Sequence, residues 1–120
     1  MSPLKTEIQG KIATLTLNRP AQMNTIDLGM AKALYKASLS FTEHSTVRAL
    51  IITGAGEKAF CAGGDLAAFN QHGEAVGEHL HEVTHYLHGA ISRFARMTLP
   101  VITAVNGVTA GGGLAFLGFP

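Results

Sequence analysis

The fold of this chain is decided by two glycine-rich turns, Phe60-Cys61-Ala62-Gly63-Gly64-Asp65 and Asn106-Gly107-Val108-Thr109-Ala110-Gly111-Gly112-Gly113. Each follows a short apolar run that predicts a buried strand, and each precedes a segment that can begin a helix. The backbone N–H groups at a helix N-terminus have no partner within the helix and point outward. Two such turns could direct two N–H groups at one carbonyl oxygen, which is the geometry of an oxyanion hole.

Strand patterns lie on both sides of the first turn. Residues 5–9 and 11–17 alternate polar and apolar side chains with Gly10 between them, which predicts a hairpin at the edge of a sheet. Asn18-Arg19-Pro20 ends the hairpin, because proline cannot donate to a strand ladder. The apolar runs 47–53 and 101–105 predict two further strands, both buried.

Helix patterns alternate with these strands. Asp27 is a predicted N-cap for a helix that runs to about Phe41, and Asp65 is a predicted N-cap for a short helical turn. Residues 74–97 predict a long helix with one apolar stripe. The stripe consists of Val76, Leu80, Val83, Leu87, Ile91 and Phe94. Alternating strands and helices predict an α/β fold with parallel strand pairing.

Composition restricts the class of protein. Hydrophobic residues make up 47% and charged residues 14%, which is apolar for a small domain that stands alone. The net charge of +1 does not suggest a nucleic-acid surface. A single cysteine, Cys61, excludes an internal disulfide and fits a reducing compartment. Neither a signal peptide nor a bilayer-spanning segment is predicted, so we expect a cytoplasmic protein without a membrane partner.

Neither turn matches a nucleotide-binding loop. A P-loop requires Lys-Ser or Lys-Thr after its last glycine, and neither follows Gly113. The dinucleotide fingerprint requires glycine or alanine three residues after its second glycine, where Phe116 stands after Gly113.

A zinc peptidase is the main competing hypothesis. His81-Glu82-Val83-Thr84-His85 matches the H-E-x-x-H pattern, in which two histidines bind zinc and the glutamate acts as a base. A third ligand is missing from the pattern, because no Asp or Glu follows Glu82 and the extended form would need His where Ile91 stands. The preferred interpretation is a solvated helix face rich in histidine, and no metal site is predicted.

Single residues have simpler interpretations beside functional ones. Cys61 could be a nucleophile next to a helix N-terminus, but a small buried hydrophobic residue is the preferred interpretation. Arg19 could meet a phosphate, although a lone surface arginine is normally solvated.

The order and spacing of these pieces resemble the crotonase family, the enoyl-CoA hydratase/isomerase superfamily. Asn18-Arg19-Pro20 followed by Asn24 is similar to the family's N-R-P-x-x-x-N sequence. The strand and turn from Leu50 to Leu66 resemble its first active-site loop, and the stretch from Pro100 to Gly113 resembles its second. The resemblance implies a crotonase-like α/β fold, a spiral of ββα units. It also implies that residues 1–120 are one incomplete domain, cut before the C-terminal helical part.

The resemblance also implies the substrate and the site. The substrate would be an acyl group on coenzyme A, so that coenzyme A is part of the substrate and no cofactor is bound permanently. The thioester oxygen would accept hydrogen bonds from the backbone N–H groups of Gly64 and Gly112. Coenzyme A would contact Gln22, Met23, Ala62, Gly64, Asp65 and Leu66. The complete protein would be a homotrimer or hexamer, as in the family.

Departures from the family pattern bear on the reaction. Hydratases of the family carry a glutamate two residues after the triple glycine, where this chain has Ala115. A methyl group cannot act as an acid or base, and a second catalytic acid would lie beyond Pro120. The pattern therefore favours an enzyme that isomerises enoyl-CoA. The alternatives are a 2-enoyl-CoA hydratase and a non-catalytic relative that binds acyl-CoA.

Overall fold

Strands and helices alternate along the chain in the computed structural model, which describes residues 2–41 and 46–118. Pro120, beyond which the second acid is expected, lies outside this range. The strands are β1 Leu4–Gln9, β2 Ile12–Leu17, β3 Ala49–Gly54, β4 Ala59–Cys61, β5 Val101–Ala104 and β6 Val108–Thr109. The helices are α1 Leu28–Ser40, α2 Leu66–Asn70 and α3 Val76–Arg96, with 3-10 turns at Pro20–Gln22, Gly73–Ala75 and Gly111–Gly118.

The strands form two sheets. The larger has the order β1-β2-β3-β5, with β1 antiparallel to β2 and the other pairs parallel. The smaller consists of β4 and β6 in parallel. The predicted hairpin is confirmed, with β1 at the edge of the larger sheet. Successive strands β3 and β4, and then β5 and β6, belong to different sheets, so the chain passes from one sheet to the other within each ββ unit.

Helix starts are set by the predicted caps. The Asp27 side chain accepts a hydrogen bond from the Met30 N–H at 2.8 Å, and the Asp65 side chain accepts one from the Ala68 N–H at 3.0 Å. Each carboxylate satisfies an N–H group that the helix itself cannot bond. Both predicted caps are confirmed, and α1 ends at Ser40, close to the predicted end.

The core lies between the larger sheet and the helices α1 and α3. Alternate residues of β2 and β3 point into it, because successive side chains of a strand face opposite sides. Within the core cluster are Leu15, Leu17, Leu50 and Ile52 from the sheet, Met30 and Leu34 from α1, and Val83, Leu87, Ala90 and Phe94 from α3.

Two predictions of burial are wrong. Leu80, predicted in the apolar stripe of α3, is 38% exposed. The strand predicted at 101–105 is not buried, since Ile102 is 53% and Val105 is 48% exposed. β5 is the last strand in the order of the larger sheet, so described strands flank it on one side only.

None of the helices in the described residues is long and apolar enough to cross a membrane.

Candidate active site

The two glycine-rich turns lie side by side because β4 pairs with β6. The Val108 N–H donates to the Lys58 carbonyl oxygen at 3.1 Å, and the Ala110 N–H donates to the Cys61 carbonyl oxygen at 3.1 Å. Gly63 has a φ of 107°, a conformation that side chains disfavour. A Cβ atom at Gly63 would lie 3.2 Å from the Ala110 carbonyl oxygen. The close approach of the two turns therefore depends on glycine at this position.

The peptide group between Gly63 and Gly64 is oriented by Ile26. The Ile26 N–H donates to the Gly63 carbonyl oxygen at 2.8 Å, and the Asp65 N–H donates to the Ile26 carbonyl oxygen at 3.0 Å. In a planar trans peptide the N–H points opposite to the C=O. The Gly64 N–H thus points away from Ile26, and no acceptor for it is found within residues 2–41 and 46–118.

Gly112 has a similar free amide in the second turn. Gly112 is the second residue of the 3-10 turn Gly111–Gly118. The Gly113 N–H that follows it donates to the Ala110 carbonyl oxygen at 2.9 Å. The Gly112 N–H has no acceptor in the described part of the chain. A Cβ atom at Gly112 would lie 3.6 Å from Leu87 Cδ2 and 3.9 Å from Ile26 Cδ1. The backbone of Ile26 therefore bonds to the first glycine turn, and its side chain lies next to Gly112 in the second.

Two segments predicted to contact coenzyme A are neighbours. The Ala62 N–H donates to the Met23 carbonyl oxygen at 3.1 Å, which joins the 3-10 turn after Arg19 to the first glycine turn. Gln22 is exposed and Leu66 is 72% exposed, whereas Met23 is half-buried. The exposed side chains of Gln22 and Leu66 thus leave both segments accessible to a ligand.

Asp65 is committed to contacts within the protein. Its Oδ2 atom lies 2.8 Å from Arg19 Nη2, and the same nitrogen lies 3.6 Å from Asp27 Oδ2. Arg19 Nη1 donates to the Thr25 carbonyl oxygen at 2.6 Å. The pKa of Asp65 is lowered, first by the hydrogen bond from the Ala68 N–H and then by Arg19. The interpretation of Arg19 as a solvated or phosphate-binding residue is wrong, because its guanidinium is mostly buried against two carboxylates.

A buried asparagine, Asn24, supports the first turn from below. Its Nδ2 atom donates to the carbonyl oxygens of Ala55 and Ala59, both at 3.0 Å, and its Oδ1 atom accepts from the Arg19 N–H at 2.8 Å. Asn24 belongs to the N-R-P-x-x-x-N stretch, but nothing in that pattern predicts its structural role. All of its side-chain donors and acceptors are used inside the protein, so it shapes the loop before β4.

Asn106 supports the same loop from the second turn. Its Oδ1 atom accepts from the Gly54 N–H at 3.1 Å, and its Nδ2 atom donates to the carbonyl oxygens of Gly56 at 3.1 Å and Ala59 at 3.3 Å. The Ala59 carbonyl oxygen is therefore bonded by both asparagines. The loop between β3 and β4, which lies in the first active-site loop of the family, is therefore tied to the other two regions that resemble the family.

Cys61 is a core residue. It is fully buried in β4, and burial raises the pKa of its thiol, while a hydrogen bond from the Gly63 backbone acts in the opposite direction. A raised pKa keeps the sulfur protonated and weakly nucleophilic. The nucleophile hypothesis is therefore wrong, and the prediction of a small buried hydrophobic residue is confirmed.

The histidines of the H-E-x-x-H stretch lie elsewhere. His81 and His85 are exposed on α3 and line an open groove between α1 and α3, together with Tyr35 and Arg93. Within the described ranges, no three His, Cys, Asp or Glu side chains are grouped closely enough to hold a metal ion.

Comparisons with known proteins agree on one family. The enoyl-CoA hydratase/isomerase family matches residues 12–118. The mitochondrial 3-hydroxyisobutyryl-CoA hydrolase of Danio rerio is 38% identical over 109 residues, which are 88% of this chain and 28% of that protein. The 1,2-epoxyphenylacetyl-CoA isomerase of Escherichia coli K12 is 35% identical over 114 residues, which are 94% of this chain and 43% of that protein.

A solved structure shows the same fold. The enoyl-CoA hydratase from Bacillus anthracis superposes with a TM-score of 0.86 at 30% sequence identity, covering 95% of this chain and 43% of that one. The chain spans less than half the length of each of these relatives.

Proposed function

The chain belongs to the enoyl-CoA hydratase/isomerase family, and we propose that it forms part of an enzyme acting on acyl groups carried as coenzyme A thioesters. In this proposal the N–H groups of Gly64 and Gly112 donate hydrogen bonds to the thioester carbonyl oxygen. The observation that supports it is that both amides lack a protein acceptor in the described residues and flank the same residue, Ile26.

The proposed chemistry follows from where charge develops. Removing a proton next to a thioester gives an enolate whose negative charge is concentrated on the carbonyl oxygen. Fixed N–H donors stabilise this charge without reorganising during the reaction, and losing one such donor costs about 3–4 kcal/mol. The same two donors would stabilise the tetrahedral anion of thioester hydrolysis, the chemistry that the name of the Danio rerio relative implies.

We propose that the coenzyme A portion of the substrate lies along the two joined segments. Gln22 and Met23 would face the pantetheine arm, and Ala62, Gly64 and Leu66 would face the adenine end. Asp65 has its carboxylate occupied by Arg19 and by the cap of α2, so its part is to hold this segment in place. No permanently bound cofactor is proposed.

Isomerisation of enoyl-CoA is the reaction that we favour within the family. Ala115 follows the triple glycine and offers no acid or base there. Isomerisation needs one group that moves a proton between two carbons, whereas two-glutamate hydration needs a second at this position. We propose that residues 1–120 are the N-terminal part of one domain, and that the rest of this domain supplies the catalytic acid and assembles the protein into a trimer or hexamer. We also propose that the protein is cytoplasmic.

Gly112 offers a clean test of the oxyanion proposal. A Cβ atom at Gly112 meets its neighbours at ordinary contact distances, so Gly112→Ala should be tolerated. Gly112→Pro adds three ring carbons, is compatible with the first turn of a helix and deletes the N–H group. In the full-length natural protein, with a 3-enoyl-CoA as substrate, we expect Gly112→Pro to lower kcat by about 10²–10³-fold relative to Gly112→Ala.

Binding is the control for this test. The dissociation constant for coenzyme A, measured by calorimetry, should be similar in both variants, because the amide contacts the acyl group only. Equal kcat values in the two variants would overturn the oxyanion proposal. Turnover of 2-enoyl-CoA with water but not of 3-enoyl-CoA would leave the oxyanion proposal standing and replace isomerisation by hydration.

A further inference from the structure

One aromatic side chain lies directly against Gly64. A Cβ atom built at Gly64 would lie 2.8 Å from Cε2, 3.4 Å from Cζ and 3.9 Å from Cδ2 of Phe69. These are its three nearest neighbours, and all belong to the same ring. Phe69 is buried, at 6% exposure, although its helix α2 has only five residues. The ring thus occupies the space that a side chain at position 64 would need.

The contact matters because Gly63 and Gly64 are consecutive residues without side chains. Glycine has more backbone freedom than any other residue, so such a pair is intrinsically loose. Hydrogen bonds to Ile26 fix one edge of this segment, through the Gly63 carbonyl oxygen and the Asp65 N–H. The Phe69 ring packs on the α-carbon between those two bonds. The ring therefore limits movement of the Gly64 α-carbon, which is the end of the peptide next to the free N–H group.

We infer that Phe69 is a positioning residue, whose ring holds the Gly64 N–H in the direction needed to bind the thioester oxygen. The inference rests on the proposed function, because it assigns Phe69 a role in that same site. A hydrogen-bond donor contributes to catalysis only when it is already oriented before charge develops. Phe69 supplies that orientation without touching the substrate.

The Phe69 ring is itself held by its surroundings. Its backbone N–H donates to the Asp65 carbonyl oxygen at 3.0 Å, which ties it to the cap of α2. The His79 ring packs edge-on against it with centroids 5.6 Å apart, and the His72 ring stacks on His79 with centroids 3.6 Å apart. His79, on α3, therefore supports the ring on the side of that helix.

The fit between the two residues suggests an exchange of bulk as the test. Phe69→Leu shortens the side chain and leaves a gap beside Gly64, whereas Gly64→Ala adds a methyl group that collides with the ring. Each single change disturbs the Gly64 peptide, in opposite directions. The double variant Gly64→Ala/Phe69→Leu fills the gap with the added methyl group and keeps the N–H. Phe69→Met, which is flexible and similar in bulk, serves as the conservative variant.

The experiment uses the full-length natural protein with two readouts. We expect Phe69→Leu to lower kcat about tenfold to a hundredfold with little change in KM, since a small misplacement of a catalytic group costs this much. The carbonyl stretch of bound 2,4-hexadienoyl-CoA, measured by Raman difference spectroscopy, should shift less from its solution value. Gly64→Ala/Phe69→Leu and Phe69→Met should both recover most of kcat and of the carbonyl shift.

The outcomes separate this inference from the oxyanion proposal. If Gly112→Pro is inactive while Phe69→Leu keeps the wild-type kcat and carbonyl shift, the positioning role is overturned and the oxyanion proposal stands. A lower melting temperature with unchanged kcat would also overturn it, because that result describes a purely structural residue. If Phe69→Leu does not fold, the double variant and Phe69→Met decide, and failure of kcat to recover in a folded double variant overturns the inference.

Discussion

Arg19 and Asp65 form the charged contact that anchors the first glycine turn. Their side chains are 16% and 11% exposed, and the closest nitrogen and oxygen lie 2.8 Å apart. A pair so shielded from water must have good geometry, because both charges have lost hydration that only a close contact and further hydrogen bonds can offset. The geometry is good here, since Arg19 also bonds to Thr25 and Asp65 caps α2. One arginine thus joins the chain after β2 to the helix after the candidate site.

Replacing Asp65 by asparagine should lower stability in a way that depends on pH. Asparagine is also a good N-cap, so Asp65→Asn removes mainly the charge. We expect a loss of about 1.5–3 kcal/mol in the free energy of unfolding at pH 7, the usual contribution of a hydrogen bond to a charged group. The pKa of Asp65 is lowered in the folded state, so its stabilisation is present above the unfolded pKa and is lost as pH falls through the folded pKa.

Urea unfolding between pH 2 and pH 7 measures this effect. The stability difference between wild type and Asp65→Asn should shrink as the pH falls below about 4, the pKa of an unperturbed aspartate. Asp27→Asn is the matched control, because Asp27 lies 3.6 Å from the same guanidinium, is 32% exposed and also caps a helix. A difference that stays constant over the pH range would contradict the assigned role of the charge.

At the scale of the elements, the loop between β3 and β4 is built around one carbonyl group. The Ala59 carbonyl oxygen accepts from both Asn24 and Asn106, which come from segments far apart in the chain. Asn24 is fully buried, whereas Asn106 is only partly so. The two asparagines therefore hold the same loop with unequal access to water.

Asn24→Ala should destabilise the protein more than Asn106→Ala. Truncating Asn24 leaves the Arg19 N–H and the Ala55 carbonyl oxygen without their partner, whereas the Ala59 carbonyl oxygen keeps its bond from Asn106. A buried group left unsatisfied costs about 1–3 kcal/mol. Water can replace part of what Asn106 provides, since its bond to the Gly56 carbonyl oxygen is exposed. The midpoint of chemical unfolding for each variant measures the difference. Equal midpoints would show that burial of Asn24 has no energetic weight.

Local elements could be predicted from the sequence, and long-range partners could not. The hairpin and the caps Asp27 and Asp65 depend on neighbours within a few residues, which a sequence pattern contains. The partner of Arg19 stands 46 residues away, so nothing beside Arg19 indicates an ion pair. In the candidate site, the glycines of the two turns were identifiable, whereas Phe69 was not, because a phenylalanine on a short helix has no distinguishing pattern.

For the whole molecule, burial depends on which surfaces the described elements cover. The apolar run of β5 predicts a buried strand, but such a run shows only that both faces of the strand are apolar, not that other elements cover them. Helices α1 and α3 pack on one side of the larger sheet, and Ile102 lies on the other. The relatives are more than twice as long as the portion that matches this chain. Additional chain in proteins of that length could cover such a surface.

The 120-residue chain should therefore associate in solution through its exposed apolar side chains. Ile102, Val105, Val108 and Leu114 are each about half exposed, at 48–54%. Exposed apolar surface of this kind promotes association, and β5 adds a sheet edge that can pair with another chain. We expect light scattering to give a mass that rises with concentration, together with binding of a hydrophobic fluorescent dye.

The double variant Ile102→Thr/Val108→Thr tests which surface is responsible. Threonine keeps the branched shape that strands favour, and exposed substitutions usually change stability by less than about 0.5 kcal/mol each. The variant should unfold at a similar urea concentration but bind less dye and associate less than the parent chain. Glu78→Gln/Glu82→Gln, at two exposed positions of α3, is the control that should leave association unchanged. A parent chain that stays monomeric without binding dye would show that these side chains are accommodated as they are, and that no further surface is needed to cover them.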